Sequence, residues 1–293
     1  MKARLLKLIV AVLVLAATAP SVWAEEPLTA VFPMGKGREQ EQSYPYQLLR
    51  LVLEKSGKPF TLKLSSVEMP EERARRVLME NGGDVTVMWS GTAKAFEEDL
   101  LPVRIPTTGG LLGYRLFLVN QKDLRKFAAV RSLNDLRRYT AGQGTNWSDV
   151  SILEASGLKV HAAKYHLLFN LLDKQRIDYF PRGANEIFEE FERFRPKNPD
   201  LAVEPNLVLV YPFASFFFVS KSNPALHDAI HQGFVNAHAD GSFLEFFRSH
   251  PSTATVLAQA RLDQRLRIDI GNPLMTEETL AIPSQYWFDP SWQ

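Results

Sequence analysis

Along this chain two hydrophobic periods alternate, one of two residues and one near 3.6, and each marks a different element. Residues 28–32 read as a strand, 46–55 as a helix stopped by Gly57, and 60–64 as a second strand. Pro70 then stands where a helix accepts it. Ala74, Val77 and Leu78 share one face, and Asn81-Gly82-Gly83 ends that helix. The Val-containing run 84–89 predicts a buried third strand. This βαβαβ rhythm predicts a parallel sheet covered by helices.

The pattern then repeats in kind, without an internal sequence repeat. Residues 111–120 read as a long strand broken at Gly113, and Ser132 with Asp135 three residues on predicts a short capped helix. Strand 140–142, helix 147–156 closed by Gly157, strand 158–161, helix 164–174 and strand 178–180 make a second set. A helix over 184–194 leads into Pro196, Pro199 and Pro205. Residues 207–220 form another extended run, interrupted at Pro212. Asn223-Pro224 opens a helix to about Ala239, and Gly241-Ser242 opens another. The aromatic, proline-rich residues 282–293 predict an irregular tail. Two α/β sets joined by two extended runs predict two lobes: 25–115 with 213–293, and 116–212.

The N-terminus changes the picture. Lys2, Arg4 and Lys7 precede an apolar run over 8–17, a break at Pro20-Ser21, and Val22-Trp23-Ala24. The run is too short to span a bilayer, so residues 1–24 read as an export signal cleaved after Ala24. The mature chain is expected to be periplasmic. Cysteine is absent, which excludes disulfides, thiolate metal sites, a cysteine nucleophile and a lipidated cysteine. Lys and Arg number 34 against 33 Asp and Glu, and no basic tract occurs. Nucleic acid and anionic membrane surfaces therefore have no electrostatic claim on the protein.

Four stretches carry a family likeness. Gly83-Asp84-Val85-Thr86, Arg131-Ser132-Leu133-Asn134-Asp135-Leu136, Gly142-Gln143-Gly144-Thr145 and Phe216-Phe217-Phe218-Val219-Ser220-Lys221 occur in order, followed by Asp240-Gly241-Ser242. In this the sequence resembles the bacterial extracellular solute-binding proteins of family 3, the amino-acid-type periplasmic binding proteins. The resemblance implies a type II fold: two lobes, each a mostly parallel sheet with helices on both faces, joined by two crossover hinge strands. It also implies capture of a small polar or anionic solute, with an ABC permease or a membrane sensor as partner. The chain departs from the family at Gly91–Glu98, where the arginine that usually clamps the ligand carboxylate is missing.

Candidate ligand contacts follow from the residues. The loop Gln143, Gly144, Thr145, Trp147 and Asp149 runs from a strand into a helix N-terminus, where N–H groups and the dipole favour an anion. An ordinary strand-to-helix turn capped by Thr145 or Asn146 is the plainer reading. Arg182, at another strand end, has the fork to replace the missing arginine, or to serve as a surface residue beside a helix cap. Arg104, Tyr114 and Arg115 flank the first crossover. Trp89 ends the third strand, and Tyr44 precedes the first helix. His227 and His231 sit one helical turn apart, but they lack a third ligand and read as solvated histidines. Glu97-Glu98 and Glu189-Glu190 read as solvated faces. No cofactor or metal is expected, nor a membrane-embedded chain, and the protein is expected to be a monomer. A binder is favoured over an exported dehydratase-like enzyme or a ligand-free envelope interaction module.

Overall fold

The computed structural model describes residues 26–35, 40–80, 83–289 and 292. The expected export signal and the Asn81-Gly82 helix stop lie outside the described residues. The strands are β1 (Leu28–Met34), β2 (Phe60–Glu68), β3 (Val87–Gly91), β4 (Leu101–Val103), β5 (Tyr114–Asn120) and β6 (Thr140–Gly144). They continue with β7 (Lys159–Ala163), β8 (Tyr179–Gly183), β9 (Leu201–Val203), β10 (Leu207–Val210), β11 (Ser215–Val219) and β12 (Leu266–Asp269).

β1 and β2 pair in parallel, Leu28 opposite Phe60, across the helix Tyr44–Lys55. That helix starts at Tyr44, two residues before the expected start, because Pro45 fits its first turn. The expected continuous parallel sheet is not what forms next. β3 pairs antiparallel with β11, which also pairs antiparallel with β4. The cause is the Phe216-Phe217-Phe218 run, whose rings need cover on both sides. Phe217 joins Val87 and Val103 in one core cluster, while Phe216 and Phe218 join Met88 in another. A central position in a three-stranded unit supplies that cover. The link to β1 is a side-chain stitch: the Val31 amide donates to Thr86 Oγ1 at 2.8 Å, and the Thr86 amide donates to the Val31 carbonyl at 3.0 Å.

The larger sheet runs β12-β10-β5-β8-β6-β7, with β9 also paired to β5. β6 is parallel to β7 and β8, and β5 is antiparallel to β8 and β10. Every residue of β5 is buried. The two extended runs meet where Val210 pairs with Tyr114. At Gly113 a Cβ would collide with the Tyr211 carbonyl oxygen, so only glycine lets these segments lie side by side.

One boundary expectation fails in detail. The chain after residue 213 does not all stay with β11, because β12 pairs in parallel with β10 in the larger sheet. The tail then returns. Ile282 and Trp287 pack with Met88 and Phe218, and the Phe288 amide donates to the Gly109 carbonyl at 2.7 Å. Among the described residues, no helix is long and apolar enough to cross a membrane.

Candidate functional site

A cleft of about 630 Å³ opens between the β1–β4 side of the molecule and the end of β8. One wall is Tyr44, Pro45 and Trp89; the other is Ala184, Asn185 and Phe188. Ser252, Thr253 and Val256, from the helix Pro251–Ala260, complete it. Buried Thr107 fixes the first wall. Its carbonyl accepts the Tyr44 hydroxyl at 2.8 Å, and its Oγ1 accepts the Trp89 indole N–H at 2.9 Å. Both rings therefore have their polar atoms tied back into the protein and offer carbon faces to the cleft. Burial pushes the Tyr44 hydroxyl pKa far up, so it stays protonated. Trp89 also borders a second cavity of about 380 Å³, which reaches Phe32, Met69 and Glu71.

Next to the β8 wall lies a network of charge. Arg182, on β8, makes a two-pronged contact with Glu190: Nε to Oε2 at 2.6 Å and Nη2 to Oε1 at 2.8 Å. Its guanidinium lies 4.7 Å from the Trp147 ring centre and 5.0 Å from that of Phe180. The Tyr165 hydroxyl donates to Glu190 at 2.7 Å. Burial first, and then Glu190, raise the Tyr165 pKa. Arg115 lies on the opposite face of the sheet, since it pairs with Gly183 while Leu116 pairs with Arg182. Its Nη2 meets Asp149 Oδ1 at 2.8 Å, and the Tyr211 hydroxyl donates to the same carboxylate. Burial opposes the Arg115 charge, but Tyr211, Asp149 and Glu186 outweigh it and hold the pKa above its ordinary value. Glu186 sits just beyond the end of β8, within ion-pair distance of both arginines.

The glycine loop is largely committed within the protein. Gly144 is covered by the Trp147 indole, which would collide with a Cβ there. The Thr145 amide donates to the Ala163 carbonyl at 2.9 Å, and the Trp147 amide donates to the Gly144 carbonyl at 3.1 Å. The N-cap is Trp147 rather than Thr145 or Asn146, and Asp149 sits in the first helical turn. Gln143 is fully buried, its Nε2 3.5 Å from the Pro181 carbonyl.

Of the eleven candidates, Tyr44 and Trp89 line the cleft. Trp147, Asp149, Arg115 and Arg182 belong to the charge network. Arg104 lies elsewhere and donates to Glu97 at 2.8 Å. Glu97 also accepts from Thr92, Thr276 and Thr279, which clamps the tail to the helix Lys94–Asp99. Tyr114 donates to the Phe288 carbonyl at 3.0 Å and borders a separate 490 Å³ cavity with Arg267. The solvated-face reading fails for Glu97 and Glu190, both buried and bonded, and holds for exposed Glu189. The His227 ring is spent on Asp228 and the Pro102 carbonyl.

The sequence reading missed Asn185, Glu186, Phe188 and Tyr211. A usable signal existed for Glu186 alone, because Arg182, Glu186 and Glu190 recur every fourth residue.

No family model matches the chain, and no curated protein matches it. Solved structures do. The probable amino-acid ABC transporter extracellular-binding protein ytmK of Bacillus subtilis superposes with a TM-score of 0.56 at 14% identity. That match covers 78% of this chain and 100% of the other. YckB, also of Bacillus subtilis, matches with a TM-score of 0.51 at 16% identity, over 78% of this chain and 92% of its own. At these identities the likeness concerns the fold, which is the mixed α/β fold of type II periplasmic binding proteins. The resemblance drawn from the motifs is borne out at that level.

Proposed function

We propose that this protein is an exported solute-binding protein that captures a small polar, amino-acid-like solute, anionic or zwitterionic, in the 630 Å³ cleft. The observation that carries the reading is the cleft itself. Its volume falls within the roughly 300–1,000 Å³ range of small-molecule sites, and its walls come from both sheet systems. The ytmK likeness supports it. In this reading β1–β4 and β11, with their helices, form one lobe, and the larger sheet, β12 included, forms the other. Closure about the paired segments at Gly113 and Tyr211 buries the solute and presents a new surface to a membrane partner, either an ABC permease or a sensor. No bond is made or broken. The export signal expected at residues 1–24 supports a periplasmic location for this work.

A thermal-shift screen of amino acids, organic acids and small peptides tests the proposal. A solute at one hundred times its Kd adds about 2.7 kcal/mol, which at about 2–4 °C per kcal/mol raises Tm by about 5–11 °C. If no compound shifts Tm, or if a compound that does is converted to product, the binding reading fails.

A further inference from the structure

Glu186 differs from the other two carboxylates of the charge network in every respect that matters for exchange. Its side chain is 35% exposed, against 9% for both Asp149 and Glu190. Its contacts are looser: Oε2 lies 3.0 Å from Arg182 Nη2 and 3.9 Å from Arg115 Nη1, whereas Glu190 and Asp149 hold their arginines at 2.6 and 2.8 Å. The Gly183 amide also donates to Oε2, at 3.2 Å. Two donors from β8, the Gly183 amide and Arg182 Nη2, thus meet on one oxygen, with the Arg115 charge from β5 3.9 Å away. That is the arrangement of a carboxylate receptor, filled here by the chain's own side chain. Arg115 keeps a buried Nε without a hydrogen-bond partner, so its fork is not fully used. The preceding residue, Asn185, lines the cleft.

We infer that Arg115, Arg182 and the Gly183 amide form a receptor for a solute carboxylate, in which Glu186 is a tethered, displaceable occupant. This rests on the cleft being the solute site: Ala184 and Asn185, between Gly183 and Glu186 in the chain, line that cleft, and the inference names the chemistry recognised beside it. The charge balance requires exchange. Two guanidinium groups already face three carboxylates, so an added anion would enter a site that is negative overall. An anion that replaces Glu186 leaves the balance unchanged. Glu186 thereby sets a threshold: only a carboxylate that is also held by the cleft walls displaces it, which disfavours simple anions.

The test is chemical rescue in the full mature chain. Glu186→Ala and the unaltered protein are melted with sodium formate replacing sodium chloride at constant ionic strength. Formate is expected to raise the Tm of Glu186→Ala by about 3 °C and that of the unaltered protein by less than about 1 °C. Equal shifts, or none in the variant, overturn the inference. Should Glu186→Ala fail to fold, Glu186→Gln keeps the side chain's shape. Succinate is then titrated by calorimetry into Glu186→Gln and the unaltered protein. Affinity about tenfold higher in the variant supports exchange. Unchanged or weaker affinity overturns it, as does loss of affinity for a diamine such as putrescine, which would make Glu186 an ammonium acceptor instead. Formate rescue does not depend on the natural solute, so its failure is distinguishable from failure of the solute-binding reading.

Discussion

Arg182→Met removes a buried cation while leaving a side chain of similar reach. In the native protein the Arg182 guanidinium is gripped at two points by Glu190 and stacked on Trp147 and Phe180. The variant leaves the Glu190 carboxylate buried with Tyr165 as its remaining donor. Breaking a buried pair from one side costs about 3–5 kcal/mol, because the orphaned charge has lost its water without a partner. At about 2–4 °C per kcal/mol for a chain of this size, Tm falls by about 6–20 °C. Arg182→Met/Glu190→Leu removes both charges and is expected to recover most of that loss, giving a strong coupling in a double-mutant cycle. Thermal melts and urea titrations of the four proteins measure it. A single-variant loss below about 2 °C, or a double variant no better than the single, would show that the pair is solvated and the reasoning wrong. The outcome also separates two roles. An arginine held only for a ligand would lose affinity at unchanged stability, whereas Arg182, bound to Glu190 and part of the inferred receptor, is expected to lose both.

Three further outcomes are expected. Burial among Phe243, Tyr286 and Trp292 holds the His238 imidazole down at about 4, so protonation favours the unfolded chain. Its contribution to stability is complete above pH 6.5 and is lost as pH falls towards 4. His238→Phe should therefore lose less Tm than the unaltered protein between those pH values; parallel curves would contradict this. His231 and His250, also held low by burial, contribute the same slope to both proteins. Gly113→Ala forces a methyl group onto the Tyr211 carbonyl and should cost about 1–3 kcal/mol in a urea titration; a neutral result would mean the paired segments separate freely. Trp89→Ala removes a cleft wall, its core packing and the donor to Thr107 Oγ1, so it should lower Tm in the absence of solute and weaken binding of any solute found by thermal shift at least tenfold. Calorimetry showing unaltered affinity would move the site elsewhere.

The helix period was legible where one face is buried, as in the Tyr44–Lys55 helix, whereas β5, buried at every residue, was legible only as an extended run. Pairing partners were not. Nothing local in Phe216-Phe217-Phe218 says that it inserts between β3 and β4, because that choice depends on which surfaces remain uncovered after the rest has folded. β12 carries one buried residue, Ile268, and so no periodic signal. At the site, Tyr44 and Trp89 were visible as aromatics, but only Tyr44 stands at an element end; Trp89, expected to end the third strand, falls in the middle of β3. The charge network was only half visible. Arg182 stood out at a strand end, but its principal partner lies beyond a turn on a helix. Adjacent Glu189 and Glu190 were read alike although the helix turns one outward and the other inward.

The most direct measurement is a crystal structure of the mature protein with the solute that gives the largest thermal shift. The account predicts solute density between Tyr44, Trp89 and Asn185, with the Glu186 carboxylate moved off Arg115 and Arg182. Density outside that cleft, or a solute seated there with Glu186 still holding both arginines, would contradict it.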